Sequence, residues 1–217
     1  NARLLLMALA KSSEMRNLDL AACTMVLADI QAGNAAYVSL ALANAEGNIL
    51  VSVPELRGDH ANLPAFAQQL THNPEFSVGE YTFLPNKRRV AVQFGQPIFN
   101  VNNQMVGVLV AEFDVSYFGA IFYDLHLPDT SVFTLTDARG MRLTRFPQAE
   151  KYTWVADLPQ MITRMSGAQD EGTFLETGVD GVSRLYGFKR IQLQGSSSPY
   201  LMIRLGIPVD QALSEAR

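Results

Sequence analysis

Apolar residues recur at helical spacing over residues 3–32, and from residue 36 onward they alternate with polar ones in short runs broken by turn residues. Leu18, Ala21, Ala22, Met25, Val26 and Ile30 form one stripe, with Asn17 placed to cap it, so the pattern predicts a long amino-terminal helix. The alternating part predicts a hairpin at Tyr37–Ala43 and Asn48–Val53, a helix at Leu63–Thr71, and strands at Val78–Phe83, Arg89–Phe99 and Met105–Phe113. The same order then returns: a hairpin at Ser131–Thr136 and Met141–Phe146, a helix at Leu158–Met165, and strands at Gly172–Glu176, Val182–Ile191 and Tyr200–Ile207. Each half closes on a short helix, opened by Asp114 in one case and Pro208 in the other.

The recurrence has a constant step. Gly47 falls on Gly140 (140 − 47 = 93), and the same step carries Leu42 to Leu135, Ala45 to Ala138, Pro54 to Pro147 and Gly79 to Gly172. Two copies of one module follow, each an antiparallel sheet of about five strands covered on one face by helices. The predicted fold is α+β: residues 1–35 a helical stalk, 36–124 one sheet-and-helix subdomain, 125–217 a second, and the family resemblance given below implies that the two are PAS-like.

Chemistry narrows the function by exclusion. The net charge of −4 comes from 17 Lys and Arg against 21 Asp and Glu, without the clustered basic surface that nucleic-acid binding needs. Cys23 is the sole cysteine, so no intrachain disulfide forms. His60, His72 and His126 lack metal-site spacing, and no G-x-S-x-G elbow, P-loop or G-x-G-x-x-G occurs, so neither a metal nor a nucleotide cofactor is expected. Gly195-Ser-Ser-Ser-Pro199 reads as a hairpin loop, and Lys87-Arg88-Arg89 as a solvated strand tip. The longest apolar run, Leu4–Ala10, is too short to cross a bilayer. A chain that starts without Met and ends within a helical pattern is expected to be a piece of a longer protein.

The two copies differ where it matters for a ligand. Glu112 and Asp114 lie two apart on an otherwise apolar strand and so share one face, whereas the step of 93 puts Leu205 and Ile207 in their places. Carboxylates on such a strand cost several kcal/mol unless something satisfies them. The first copy is therefore expected to hold a polar molecule, with Tyr81, Gln93 and Phe94 on neighbouring strands as further candidate lining residues. A hydrolase built on Glu112 and Asp114 would need a sugar platform that nothing else in the sequence supplies.

Phe76-x-Val78-Gly79-Glu80-Tyr81, Pro97-Ile98 and Gly107-Val-Leu-Val110-x-x-x-Asp114 resemble the membrane-distal half of a double Cache sensor domain. Asp137-Ala-Arg-Gly140, Glu171-Gly-Thr-Phe174 and Val179-Asp-Gly-Val182-x-Arg184-Leu-Tyr-Gly-Phe188 resemble its membrane-proximal half. The resemblance implies the periplasmic or extracellular portion of a bacterial inner-membrane receptor, homodimeric, flanked by transmembrane helices outside this segment. A sensor histidine kinase of a two-component system is favoured; a diguanylate cyclase, a chemotaxis transducer or a transporter-linked solute-binding protein are the alternatives. The segment itself would not be an enzyme. The resemblance also implies a small-molecule pocket in the distal half, with Phe66 near it and the acid at Asp114 receiving an ammonium group. Where relatives carry Asp-Arg-Pro-Tyr-Phe, this chain has Asn62-Leu-Pro-Ala-Phe66, and its one tryptophan, Trp154, lies in the second half. Without that arginine a carboxylate ligand loses its usual bidentate partner, which favours a cationic or neutral polar ligand.

Overall fold

A computed structural model describes residues 2–56, 63–72, 74–84, 88–167, 169–193 and 199–214. His60, Asn62, Lys87 and the loop 194–198 lie outside the described residues. The chain divides into two compact units, residues 1–87 with 91–114 and residues 88–90 with 115–217.

The amino-terminal region is three helices rather than one: α1 (Ala2–Leu9), α2 (Ser13–Arg16) and α3 (Leu20–Gly33). Polar caps make the breaks. Ser12 accepts a hydrogen bond from the Met15 N–H, Asp19 accepts one from the Ala22 N–H, and Leu18 between them takes φ 52°. Asn17, expected to open the second segment, instead closes α2.

In the first unit, β1 (Tyr37–Asn44), β2 (Ile49–Val53), β3 (Ser77–Leu84), β4 (Arg89–Phe99) and β5 (Met105–Asp114) form an antiparallel sheet in the order β2-β1-β5-β4-β3. Helices cover both of its faces. Leu6, Met15, Cys23 and Leu27, one or two from each amino-terminal helix, are fully buried against Leu40, Leu42, Leu109 and Ala111. On the other face α4 (Leu63–His72) sets Leu63, Phe66, Ala67 and Leu70 on Ala41, Ala43, Val108 and Val110. Each fully buried leucine stabilises by roughly 1.5–3 kcal/mol. The expectation of a sheet covered on one face is thus corrected here, because the amino-terminal helices, opposite α4, pack on the other face of the sheet. The stripe that faces it includes Cys23, Val26, Leu27 and Ile30, while Met25 is 64% exposed.

The second unit begins with a 3₁₀ turn (Val115–Phe118) and α5 (Gly119–Asp124), which belong with it because Phe122 and Tyr123 pack on Phe146. Then come β6 (Val132–Asp137), β7 (Met141–Phe146), α6 (Ala149–Tyr152), β8 (Val155–Ala156), α7 (Pro159–Met165), β9 (Glu171–Thr177), β10 (Ser183–Gln192), β11 (Pro199–Pro208) and α8 (Val209–Ser214). The sheet order is β8-β7-β6-β11-β10-β9. On one face α7 brings Met161 onto Val132 and Tyr186, with Phe174 beside them. The opposite face leaves Leu175 59% and Leu185 38% exposed.

The repeat is visible atom by atom in the hairpins. Asn44 Oδ1 accepts from the N–H groups of Glu46 and Asn48, and Asp137 Oδ1 accepts from those of Arg139 and Met141. Gly47 and Gly140 follow at φ 83° and 84°, a conformation glycine adopts without steric cost. A Cβ on Gly47 would also meet the Gln68 Cα at 2.6 Å, so glycine is needed there for α4 to approach.

Candidate functional site

Three strands of the first unit meet at one carboxylate. Glu112 on β5 stands opposite Ser39 on β1 and opposite Gln93 on β4. The Ser39 hydroxyl donates to Glu112 Oε2 at 2.6 Å, and the Gln93 amide donates to Oε1 at 3.2 Å. Glu112 and Asp114 are both fully buried, and Asp114 lies opposite Ala91 one pleat further along. By alternation all of these share the face that Val108 and Val110 present to α4.

Two glycines draw the helix down beside them. A Cβ on Gly95 would lie 2.1 Å from Leu70 Cδ1, and one on Gly79 would lie 2.9 Å from the Phe66 ring and 3.0 Å from Gln93 Cβ. Phe66, 5% exposed, therefore roofs the sheet next to Gln93. Tyr81, two residues beyond Gly79, is on this face of β3 and half-buried.

Of the six sequence-predicted residues, the structure thus brings Glu112, Asp114, Gln93, Phe66 and Tyr81 to one face. Phe94 is not with them. It points to the opposite face, stacked on Phe76 at 6.2 Å and edge-on to Phe113, against the core formed with the amino-terminal helices. Adjacent strand residues cannot share a face, so Gln93 and Phe94 exclude one another. Ser39 is the residue that sequence reasoning missed; its signal is a hydroxyl at an inward position of an otherwise apolar strand.

The second unit lacks this arrangement, though not through Leu205 and Ile207. Gly206 stands opposite Val132 and Tyr186, as Glu112 stands opposite Ser39 and Gln93; Pro208 stands opposite Arg184, as Asp114 does opposite Ala91. The loop 193–198 is one residue longer than the turn 100–104, which displaces the last strand by one position from the step of 93. Tyr186 fills the space, since a Cβ on Gly206 would lie 2.3 Å from its ring. Leu205 and Ile207 point to the opposite face. There a shallow groove of about 570 Å³ runs past Thr173, Ile203 and Leu205, its rim carrying the exposed Lys189–Glu171 pair.

The second unit instead buries arginine. Arg142, Arg145, Arg184 and Arg204 are each at most 4% exposed. Arg184 grips Asp180 through both Nη atoms at 2.8 Å and donates from Nε to the Thr130 carbonyl, while Arg145 Nη2 also meets Asp180. Burial pushes the Asp180 carboxyl up, but hydrogen bonding and charge from Arg184 and charge from Arg145 outweigh it and bring the pKa down to about 2. Burial lowers the Arg142 pKa, opposed by Asp157 and reinforced by Arg204 and Arg145. Among the described residues no cluster of His, Cys, Asp or Glu is placed to hold a metal ion, and no helix is long and apolar enough to cross a membrane.

No family model matches the chain, and no curated protein matches it by sequence. Solved structures match its fold. The extracellular domain of rpHK1S-Z16, to which a histidine kinase function is ascribed, aligns over 98% of this chain and 88% of its own at 15% identity and a TM-score of 0.71. The ligand-binding domain of the Pseudomonas aeruginosa PAO1 amino acid chemoreceptor PctB, in complex with L-Arg, aligns over 96% of this chain and 86% of its own at 16% identity and a TM-score of 0.67. That of the Pseudomonas fluorescens chemoreceptor CtaA, in complex with L-isoleucine, aligns over 99% and 86% at 19% identity and a TM-score of 0.61. The chain has the double Cache fold shared by such extracellular ligand-binding domains, two tandem PAS-like α+β subdomains.

Proposed function

We propose that this chain is the extracytoplasmic ligand-sensing part of a transmembrane signalling receptor, of the histidine kinase class, and that a small amine-bearing molecule binds in its first unit. The observation that carries this reading is the buried pair Glu112 and Asp114 on the α4 face, where the second unit has Gly206 beneath Tyr186 and Pro208 opposite Arg184. Two buried carboxylates on one face, one of them accepting from the neutral donors Ser39 and Gln93, suit an ammonium group. The similar domains support it: PctB is described with L-Arg and with L-Gln, PctC with GABA, and CtaA with L-isoleucine and L-serine, all molecules that carry an ammonium group at neutral pH. A chemotaxis transducer is the second reading, favoured by those same chemoreceptors. We further propose a homodimer through the amino-terminal helices, on which Leu4, Leu20 and Met25 are exposed.

Calorimetric titration of the chain with amino acids, polyamines and their desamino analogues tests the ligand class. An amine-bearing compound is expected to bind and its desamino analogue to fail. At 100 times its dissociation constant the ligand would stabilise the fold by about 2.7 kcal/mol, readily seen as a shift in melting temperature. Equal binding of the two analogues would refute the assignment.

A further inference from the structure

The second unit holds a cluster of buried donors that the sensing reading does not use. Arg142 on β7 stands opposite Thr136 on β6, and Arg204 on β11 stands opposite Thr134, two residues along the same face. Asp157 bridges the two arginines, 2.7 Å from Arg204 Nη2 and 3.9 Å from Arg142 Nε. Arg142 spends its Nε and Nη2 on the carbonyls of Val155 and Ala156. That leaves Arg142 Nη1, Arg204 Nε, Arg204 Nη1 and the Thr136 hydroxyl buried with no hydrogen-bond partner. Thr136 is fully buried, Arg142 is 2% exposed and Arg204 is 4% exposed.

Buried polar groups in folded proteins are almost always satisfied; here four buried donors stand against a single acceptor that lacks a hydrogen bond, Asp157 Oδ2, and this surplus of donors describes the negative of an acceptor-rich molecule. The charge agrees, since two guanidinium groups share the single carboxylate of Asp157. Water could satisfy the donors but would leave that surplus charge. A guanidinium presents parallel N–H groups that match the oxygens of a carboxylate, phosphate or sulfate. We propose that the second unit binds a small oxyanion between Arg142, Arg204 and Thr136, a site separate from the amine site of the first unit. Tyr152 and Tyr186 back the two guanidiniums, their ring centroids each 5.3 Å from one of them, and hold them in place.

The chain carries its own reporter. Trp154, the one tryptophan, immediately precedes the segment that Arg142 holds by its carbonyls, and the Trp154 N–H donates to the Arg142 carbonyl at 2.7 Å. The test is a titration of the whole chain with acetate, phosphate and sulfate at constant ionic strength against chloride, following Trp154 emission and the melting temperature. One oxyanion is expected to give saturable changes in both, and the winning arm tells a carboxylate from an inorganic ion. Arg204→Met is expected to weaken the response at least tenfold. Thr136→Val, which keeps the side-chain shape and so remains informative if the arginine variant does not fold, is expected to weaken it severalfold. Glu112→Gln in the first unit should leave it unchanged. An absence of any saturable response beyond chloride overturns the proposal, and so does a response that Thr136→Val leaves intact, which would mark an adventitious ion only.

Discussion

Glu112→Gln and Asp114→Asn are each expected to weaken binding of the amine ligand by about 2–5 kcal/mol, some 30-fold or more, the range found when one partner of a buried charge pair is neutralised. For Glu112→Gln the loss separates cleanly from folding. The new amide turns one acceptor into a donor, but the Ser39 hydroxyl can rotate to accept, and the Gln93 amide can turn its oxygen inward. The local network therefore re-forms, and the unliganded protein is expected to keep its stability within about 1 kcal/mol. Titration calorimetry beside thermal melts of the unliganded variants reads both quantities. A variant that melts as wild type and binds as wild type would remove Glu112 from the site.

Arg184→Met is expected to destabilise the second unit by about 1.5–3 kcal/mol, the range for losing charge-assisted hydrogen bonds of a buried guanidinium whose partner, Asp180, reaches solvent. Three of its contacts go at once: the two-pronged grip on Asp180 and the bond to the Thr130 carbonyl. Arg184→Lys should recover little, since one ammonium cannot span both carboxylate oxygens. The pH dependence follows from Asp180. Its pKa is lowered in the folded protein to about 2 from an ordinary 3.8, so its contribution is fully present above about pH 4 and is lost as pH falls towards 2. Urea unfolding across that window should show stability declining with acid in the wild type and a flatter limb in Arg184→Met. Equal slopes in the two proteins would mean that Arg184 is not what holds the carboxylate ionised.

Much of the fold is legible in the sequence because its signals are local. The Asn44/Gly47 and Asp137/Gly140 turns fix both hairpins, and strands such as Arg89–Phe99 and Met141–Phe146 fall where the alternation puts them. The breaks in the amino-terminal region were signalled too, by Ser12 and Asp19 as caps, but a continuous run of helix formers masks them. The acids Glu112 and Asp114 stand out because the rest of their strand is apolar. The position of Phe94 was decidable from parity alone, since Gln93 and Phe94 are neighbours on one strand. Two things depend on long-range register. The extra residue in the loop 193–198 shifts β11, so that Gly206 and Pro208, not Leu205 and Ile207, answer the two acids. The arginine cluster is assembled from β7, β10 and β11, and along the sequence its members look like ordinary surface charges.

The central claim is that an amine ligand sits in the first unit against Glu112 and Asp114. A crystal structure of the chain with its best-binding amine tests this most directly. The expected result is ligand density between α4 and the sheet, with the ammonium nitrogen within about 3 Å of carboxylate oxygens of Glu112 or Asp114. Density confined to the second unit, or a ligand in the first unit whose nitrogen faces neither acid, would contradict it.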